Sequence, residues 1–290
     1  MGNDLTAVSL AEDEEGAAIG PFILPRTEGL LLSHPAHGAP YRIDIALPEG
    51  EAPPEGWPSI WLLDASGCFA TCVEALRRMV RRPAVTGVTP MAVVGIAPAA
   101  GGSDIAVRRR DFTTKHVGEE GATGGAEAFL TFLEGAAFRA AVSRLPLDPR
   151  RRTLLGHSLA GYFTLWALGR QPHAFRAYAA ISPSIWWDKA ALLEAASAAS
   201  ASSAHSSVLV AVGEWEEGVA PDRGAMPIAM AEAMHARRNA RRMIGNARDM
   251  AMHLAAVLGD DRVDFRLMEG DDHASILSSV MPQALRLASG

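Results

Sequence analysis

Short apolar runs separated by longer amphipathic stretches set the rhythm of the chain. Residues 41–47 (Tyr-Arg-Ile-Asp-Ile-Ala-Leu) alternate between apolar and polar, which predicts a strand with one buried face. Apolar-rich segments follow at 59–63, 91–96, 152–155, 177–181, 207–212 and 263–267. Short apolar runs of this kind predict strands covered on both sides. Between them, helical spacing of apolar positions marks residues 70–82, 125–144, 159–170, 188–197, 225–258 and 274–288. Strands that alternate with helices predict an α/β fold, a mostly parallel sheet with helices on both faces.

The ends of the pattern differ from its middle. Residues 1–20 are acidic and rich in Gly and Ala and read as a flexible tail, which leaves 21–290 as a single domain. Residues 195–207 are Ala or Ser except for His205, a low-complexity connector. Splitting the chain there would leave two half-sheets, and no internal repeat is present. Composition adds exclusions: 49% hydrophobic and 21% charged residues in 290 describe a folded globular chain. The net charge of −6 argues against a nucleic-acid partner, because phosphate neutralisation needs a basic face. No stretch reaches the roughly 18 apolar residues of a membrane span, and the acidic start MGNDLTAVSLAEDEEG lacks the basic and apolar regions of a signal peptide. A cytoplasmic protein with no membrane partner is expected. Cys68 and Cys72 lie in one loop-to-helix segment, where a disulfide is awkward to close, and read as free thiols.

The chemistry concentrates in Thr153-Leu-Leu-Gly156-His157-Ser158-Leu159-Ala160-Gly161, a strand end that runs through a Gly-x-Ser straight into a helix. A serine on so sharp a turn is forced out above the sheet. It needs small neighbours, which Gly156, Ala160 and Gly161 supply. A hydroxyl is a weak nucleophile without a base. His273, in Met268-Glu-Gly-Asp-Asp-His273, follows the last strand, where the order nucleophile, acid, histidine places the base. An acid is expected after the strand at 207–212, where Glu214, Glu216, Glu217 and Asp222 are available; Glu216 is preferred and Glu214 comes next. Asp271 and Asp272 adjoin His273, but adjacent side chains in a loop usually point apart. Backbone N–H groups for an oxyanion are expected from Leu159, directly after the serine, and from the loop that carries Ser66 and Gly67.

These residues resemble the α/β-hydrolases of the esterase D type, and within them the ferric-siderophore esterases that open trilactone catecholates of the enterobactin class. The likeness spans roughly residues 35–288 and is carried by the segment from Gly124 to Leu133, the elbow Gly-His-Ser-Leu-Ala-Gly, Ser182-Pro-Ser-Ile-Trp-Trp187, Val212-Gly-Glu-Trp-Glu216 and Glu269-Gly-Asp-Asp-His273. It implies an α/β-hydrolase fold, Ser158 as nucleophile, His273 as base and Glu216 as acid, with no metal or organic cofactor. It further implies substrate contact by Arg108, where a run of three arginines would otherwise read as a solvated loop. Stacking on an aromatic acyl group by Trp186 and Trp187 is also implied, with buried packing beneath the cleft the alternative role for at least one of them. Two positions depart from the family pattern: its usual Leu-Asp-Gly-Asn reads Leu63-Asp64-Ala65-Ser66, and Thr113-Thr114 stand where relatives tend to have Tyr-Thr-Pro. The expected activity is ester hydrolysis through an acyl-enzyme, with a small-molecule ester, such as a ferric catecholate siderophore, as partner. A short-chain carboxylesterase or an acyltransferase would use the same groups, and a non-catalytic binding protein would have no physical reason to keep both Ser158 and His273.

Overall fold

A computed structural model describes residues 23–101, 104–114, 123–198, 206–218 and 227–290. The expected tail, the Ala/Ser connector from 199 to 205, and Asp222 lie outside the described residues. The strands are β1 (Thr27–Ser33), β2 (Pro40–Ala46), β3 (Trp57–Leu63), β4 (Ala92–Pro98), β5 (Leu147–His157), β6 (Ala177–Ile181), β7 (Ser207–Gly213) and β8 (Val263–Met268). They form one sheet in the order β1-β2-β4-β3-β5-β6-β7-β8. From β4 through β8 every pairing is parallel, while β2 runs antiparallel to both β1 and β4. The α/β-hydrolase architecture expected from the sequence is therefore present.

The helices are α1 (Phe69–Met79), α2 (Pro83–Thr86), α3 (Ile105–Phe112), α4 (Ala126–Phe132), α5 (Phe138–Val142), α6 (Leu159–Arg170), α7 (Lys189–Ala198), α8 (Ile228–Arg241), α9 (Met243–Leu258), α10 (Ile276–Ser279) and α11 (Met281–Ser289). Strand alternation splits the core in two. Trp61, Leu63, Val94, Leu154, Tyr178 and Val210 face α4, α6 and α9, where Phe129, Phe132, Phe163 and Met250 meet them. Ile60, Leu62, Val93, Leu155, Ala179 and Leu209 face α1 and α11, where Cys72, Val73, Leu76, Met281 and Leu285 close the other side. Cys68 and Cys72 are buried free thiols within this second layer. Burial, the larger cause, and the nearby Asp64 push the Cys68 thiol up to about 12, so it stays protonated.

Several boundaries differ from the pattern reading, each for a local reason. β1 was not expected because Leu30-Leu31-Leu32 shows no alternation; as an outer edge strand it leaves Leu31 exposed while its whole length pairs with β2. The arginine run 108–110 belongs to a helix, α3, started by Asp104, whose carboxylate accepts the N–H groups of Ala106 and Val107. The single helix expected over 225–258 is two, because Arg242 adopts a left-handed conformation (φ 45°, ψ 49°) between α8 and α9. The stretch 125–144 continues from α4 to α5 through a π-helical turn at Leu133–Ala137.

Candidate active site

The C-terminal ends of β5, β7 and β8 converge on one edge of the sheet, and each delivers a polar side chain. Ser158 follows β5 with φ 61° and ψ −118°, a conformation an L-residue adopts only when its surroundings compel it. The turn is compelled by close contact: a Cβ on Gly156 would lie 2.2 Å from the Ala160 carbonyl oxygen and 2.5 Å from Thr164 Oγ1. The Ser158 N–H donates to Ile181 O at 2.9 Å, and the Ser184 N–H donates to Ser158 O at 3.0 Å. These bonds lock the elbow to the end of β6. The serine is also the N-cap of α6, so the positive end of that helix, beginning with the Leu159 N–H, starts at the nucleophile.

His273 sits in the loop after β8. Its Nδ1 lies 2.5 Å from Glu216 Oε2 and its Nε2 lies 3.1 Å from Ser158 Oγ. A carboxylate only accepts, so Nδ1 carries the proton and Nε2 is left to accept from the serine hydroxyl. Glu216 has a side chain only 1% exposed against 46% for His273. Its second oxygen accepts the Ser182 hydroxyl and the Gly213 N–H, the latter at 2.8 Å. Burial works to raise the Glu216 pKa; the His273 hydrogen bond and charge, with Ser182 and Gly213, outweigh it and hold the carboxyl below its usual range. His157, the residue before the nucleophile, packs its ring against His273 with centroids 4.6 Å apart. Burial, with the neighbouring His273 second, lowers its pKa to about 4, so it stays neutral beside the base.

The remaining acidic residues serve the loop. Glu214, the second choice for the acid, accepts the Gly270 N–H at 2.8 Å and does not reach His273. Asp271 is buried and accepts the hydroxyls of Ser275 and Ser279, and Asp272 accepts the N–H groups of Ala274 and Ser275. Together they hold the short segment that presents the imidazole.

Ser158 lies between two cavities. The larger, about 500 Å³, is walled by Arg108, Arg109, Trp186, Trp187 and the cleft side of α8. The smaller, about 420 Å³, is lined by Asp64, Ser66, Gly67, His157 and Leu277. Arg108, Ser158 and His273 border both. Ser66 and Gly67, the loop residues expected near the oxyanion, both line the smaller cavity, with the Gly67 N–H donating to Asp64 O at 3.1 Å. The departure Asp64-Ala65 is accommodated across the sheet: a Cβ on Gly95 would lie 2.7 Å from Ala65 Cβ, so glycine on β4 makes room for alanine in the loop. Arg108 is not a free cation. Its Nε donates to Asp64 Oδ2 at 2.6 Å and its Nη2 to His157 O at 3.4 Å, tying α3 to the elbow. Trp187 is 7% exposed and mostly packing, whereas Trp186 is half-buried under the Arg241 guanidinium, 4.3 Å from the ring centre. Among the described residues, no three His, Cys, Asp or Glu side chains converge as a metal site, and no helix is long and apolar enough to cross a membrane.

A parallel α/β sheet with a strained serine at one strand end, a histidine within hydrogen-bond reach and a carboxylate behind it defines a protein of the serine-hydrolase class. Residues 35–253 match the esterase family described as "Putative esterase". Over 289 residues the chain is 33% identical to the ferri-bacillibactin esterase of Bacillus subtilis, covering 94% of this chain and 93% of that protein. It is 30% identical to the siderophore triacetylfusarinine C esterase of Aspergillus fumigatus, covering 92% and 94%. The crystal structure of the BES protein from Bacillus cereus superposes with a TM-score of 0.81 at 27% identity, covering 94% of this chain and all of that one. The chain belongs to this esterase family and is an ester-hydrolysing enzyme.

Proposed function

We propose that the protein is a siderophore esterase in which Ser158, His273 and Glu216 act as a catalytic triad. The hydrogen-bonded line from Glu216 Oε2 through His273 to Ser158 Oγ carries the reading. Ser158 Oγ attacks the ester carbonyl while His273 Nε2 takes its proton. Glu216 stabilises the imidazolium so formed, without accepting its proton. The oxyanion gathers at the first N–H of α6, from Leu159, with a second donor from the Ser66 turn. His273 then returns the proton to the departing alcohol, leaving an acyl-Ser158 ester. Water, deprotonated by the same imidazole, cleaves it to the acid. The names of the relatives supply the substrate, a siderophore held together by ester bonds. Arg108 and Trp186 border the space where its acyl portion would lie. The buried thiols of Cys68 and Cys72 support a reducing, cytoplasmic location. The test is incubation with a ferric catecholate trilactone and product masses read at intervals, alongside labelling by a fluorophosphonate. Ring-opened hydrolysis products and a label lost in Ser158→Ala are expected. An unlabelled serine, or turnover confined to short acyl esters, would overturn the triad or the substrate respectively.

A further inference from the structure

α8 stands apart from the rest of the fold. No residue of this helix is buried along Ile228–Arg241, so it contributes nothing to either core layer. Yet it furnishes Met234, Arg237, Arg238 and Arg241 to the wall of the larger cavity. Its position over the cleft is fixed by polar contacts to the strand end that carries Glu216. The Gly218 N–H donates to Asn239 Oδ1 at 3.2 Å, His235 Nδ1 lies 3.0 Å from Gly218 O, and Asn239 Nδ2 lies 2.9 Å from His235 Nε2. This is a closed circuit in which the Asn239 amide meets His235 Nε2 and His235 Nδ1 meets the carbonyl. A second tie, from the Gly245 N–H to Glu217 Oε2 at 2.8 Å, fixes the start of α9 just beyond the bend at Arg242.

Charge makes the wall one-sided. Arg108, itself engaged by Asp64, and Arg109, Arg237, Arg238 and Arg241 border the cleft, and among the described residues its lining carboxylates are Glu216 and Asp272. Glu216 is turned to His273 and Ser182, and Asp272 accepts two backbone N–H groups of its own loop. Arg237 and Arg238 have no carboxylate partner among the described residues, in a protein whose net charge is −6. A cation cluster beside flat indoles suits a ligand that is both anionic and aromatic.

We propose that α8 is the specificity element of the site: Arg237 and Arg238, with Arg241 placed over Trp186, receive the negatively charged aromatic part of the ester, while the Gly218–Asn239–His235 circuit holds them in place. This rests on the esterase reading above and adds to it the charge and the binding wall of the substrate. The test uses a matched pair, p-nitrophenyl benzoate and p-nitrophenyl 4-sulfobenzoate, with the full-length protein and its Arg237→Gln/Arg238→Gln variant. The readout is the ratio of kcat/KM for the sulfonated over the plain ester. The proposal expects that ratio to fall about 10- to 100-fold in the variant, chiefly through KM, as loss of charge-assisted contacts dictates. It also expects the wild-type KM for the sulfonated ester to climb with salt more steeply than the variant's. An unchanged ratio, whether both rates hold or both fall together, overturns the assignment and leaves the esterase reading intact. Wild-type protein inert toward both esters would overturn the esterase reading itself and this proposal with it.

Discussion

Replacing Glu216 with Gln changes one atom and should reverse a proton. In the wild type one carboxylate oxygen accepts two donors, Ser182 Oγ and the Gly213 N–H, and the other accepts His273 Nδ1–H at 2.5 Å. A glutamine has a single acceptor oxygen. Satisfying Ser182 and Gly213 with it turns the amide NH₂ toward His273, so Nδ1 must accept and Nε2 must carry the proton that now faces Ser158. That tautomer cannot take the serine proton. The loss of kcat/KM on a neutral ester should be about 10³- to 10⁴-fold, or about 4 to 5.5 kcal/mol of barrier. Glu214→Gln, whose carboxylate only holds the Gly270 N–H, should lose less than about 5-fold. Stability gives an independent reading. The Glu216 carboxyl is held below its ordinary value of 4.5, so the ionised form favours the native state above that value. The Tm gap between wild type and Glu216→Gln should therefore be widest near neutrality and close as the pH falls through the depressed native pKa. A loss under about 10-fold in Glu216→Gln, or a larger loss in Glu214→Gln, would refute the reasoning.

Other expectations follow from the same geometry. Ser158→Ala and His273→Ala should each abolish turnover measured by p-nitrophenol release, with an unchanged circular-dichroism spectrum; near-wild-type rates in either would remove the triad. Gly156→Ala should cost several kcal/mol or prevent soluble expression, because its Cβ would fall 2.2 Å from a backbone oxygen; a Tm within a few degrees of wild type would show that the elbow is slack. Arg108→Lys should lower kcat/KM about 5- to 20-fold on neutral and anionic esters alike, since an ammonium can meet Asp64 but not also span to His157 O. A loss confined to anionic esters would instead make Arg108 a substrate contact.

Seven strands and the three members of the proposed triad were legible in the sequence because each is written in local pattern: apolar runs for parallel strands, small residues around Ser158, and a histidine after the last strand. β1 was not, because an edge strand is ordered by pairing with β2 and needs no alternation of its own. Neither was α3, where an arginine run hides a helix whose buried residues are Asp111 and Phe112 at its very end. The arginines of α8 were invisible for a different reason. Within one long helical pattern over 225–258 nothing sets them apart, and in the structure the helix that carries them ends at the bend of Arg242 and lines the cleft beside Ser158. Arg108, expected from the resemblance to contact substrate, borders the cleft, and its engagement with Asp64 and the elbow comes from tertiary placement that no spacing encodes.

The absence of any buried residue along α8 has a consequence for how this chain can change. A substitution in β5 or α6 is judged first by the core, where a misplaced methylene is costly. One on α8 meets no such tribunal. Its charges can be reversed, deleted or spaced anew while the sheet and the machinery at Ser158 keep their shape, so the residues that select a substrate are free to vary separately from those that break the bond. A library built on Met234, Arg237, Arg238 and Arg241 should therefore yield mostly folded variants, and new ester preferences should be reachable in single steps rather than through compensated pairs.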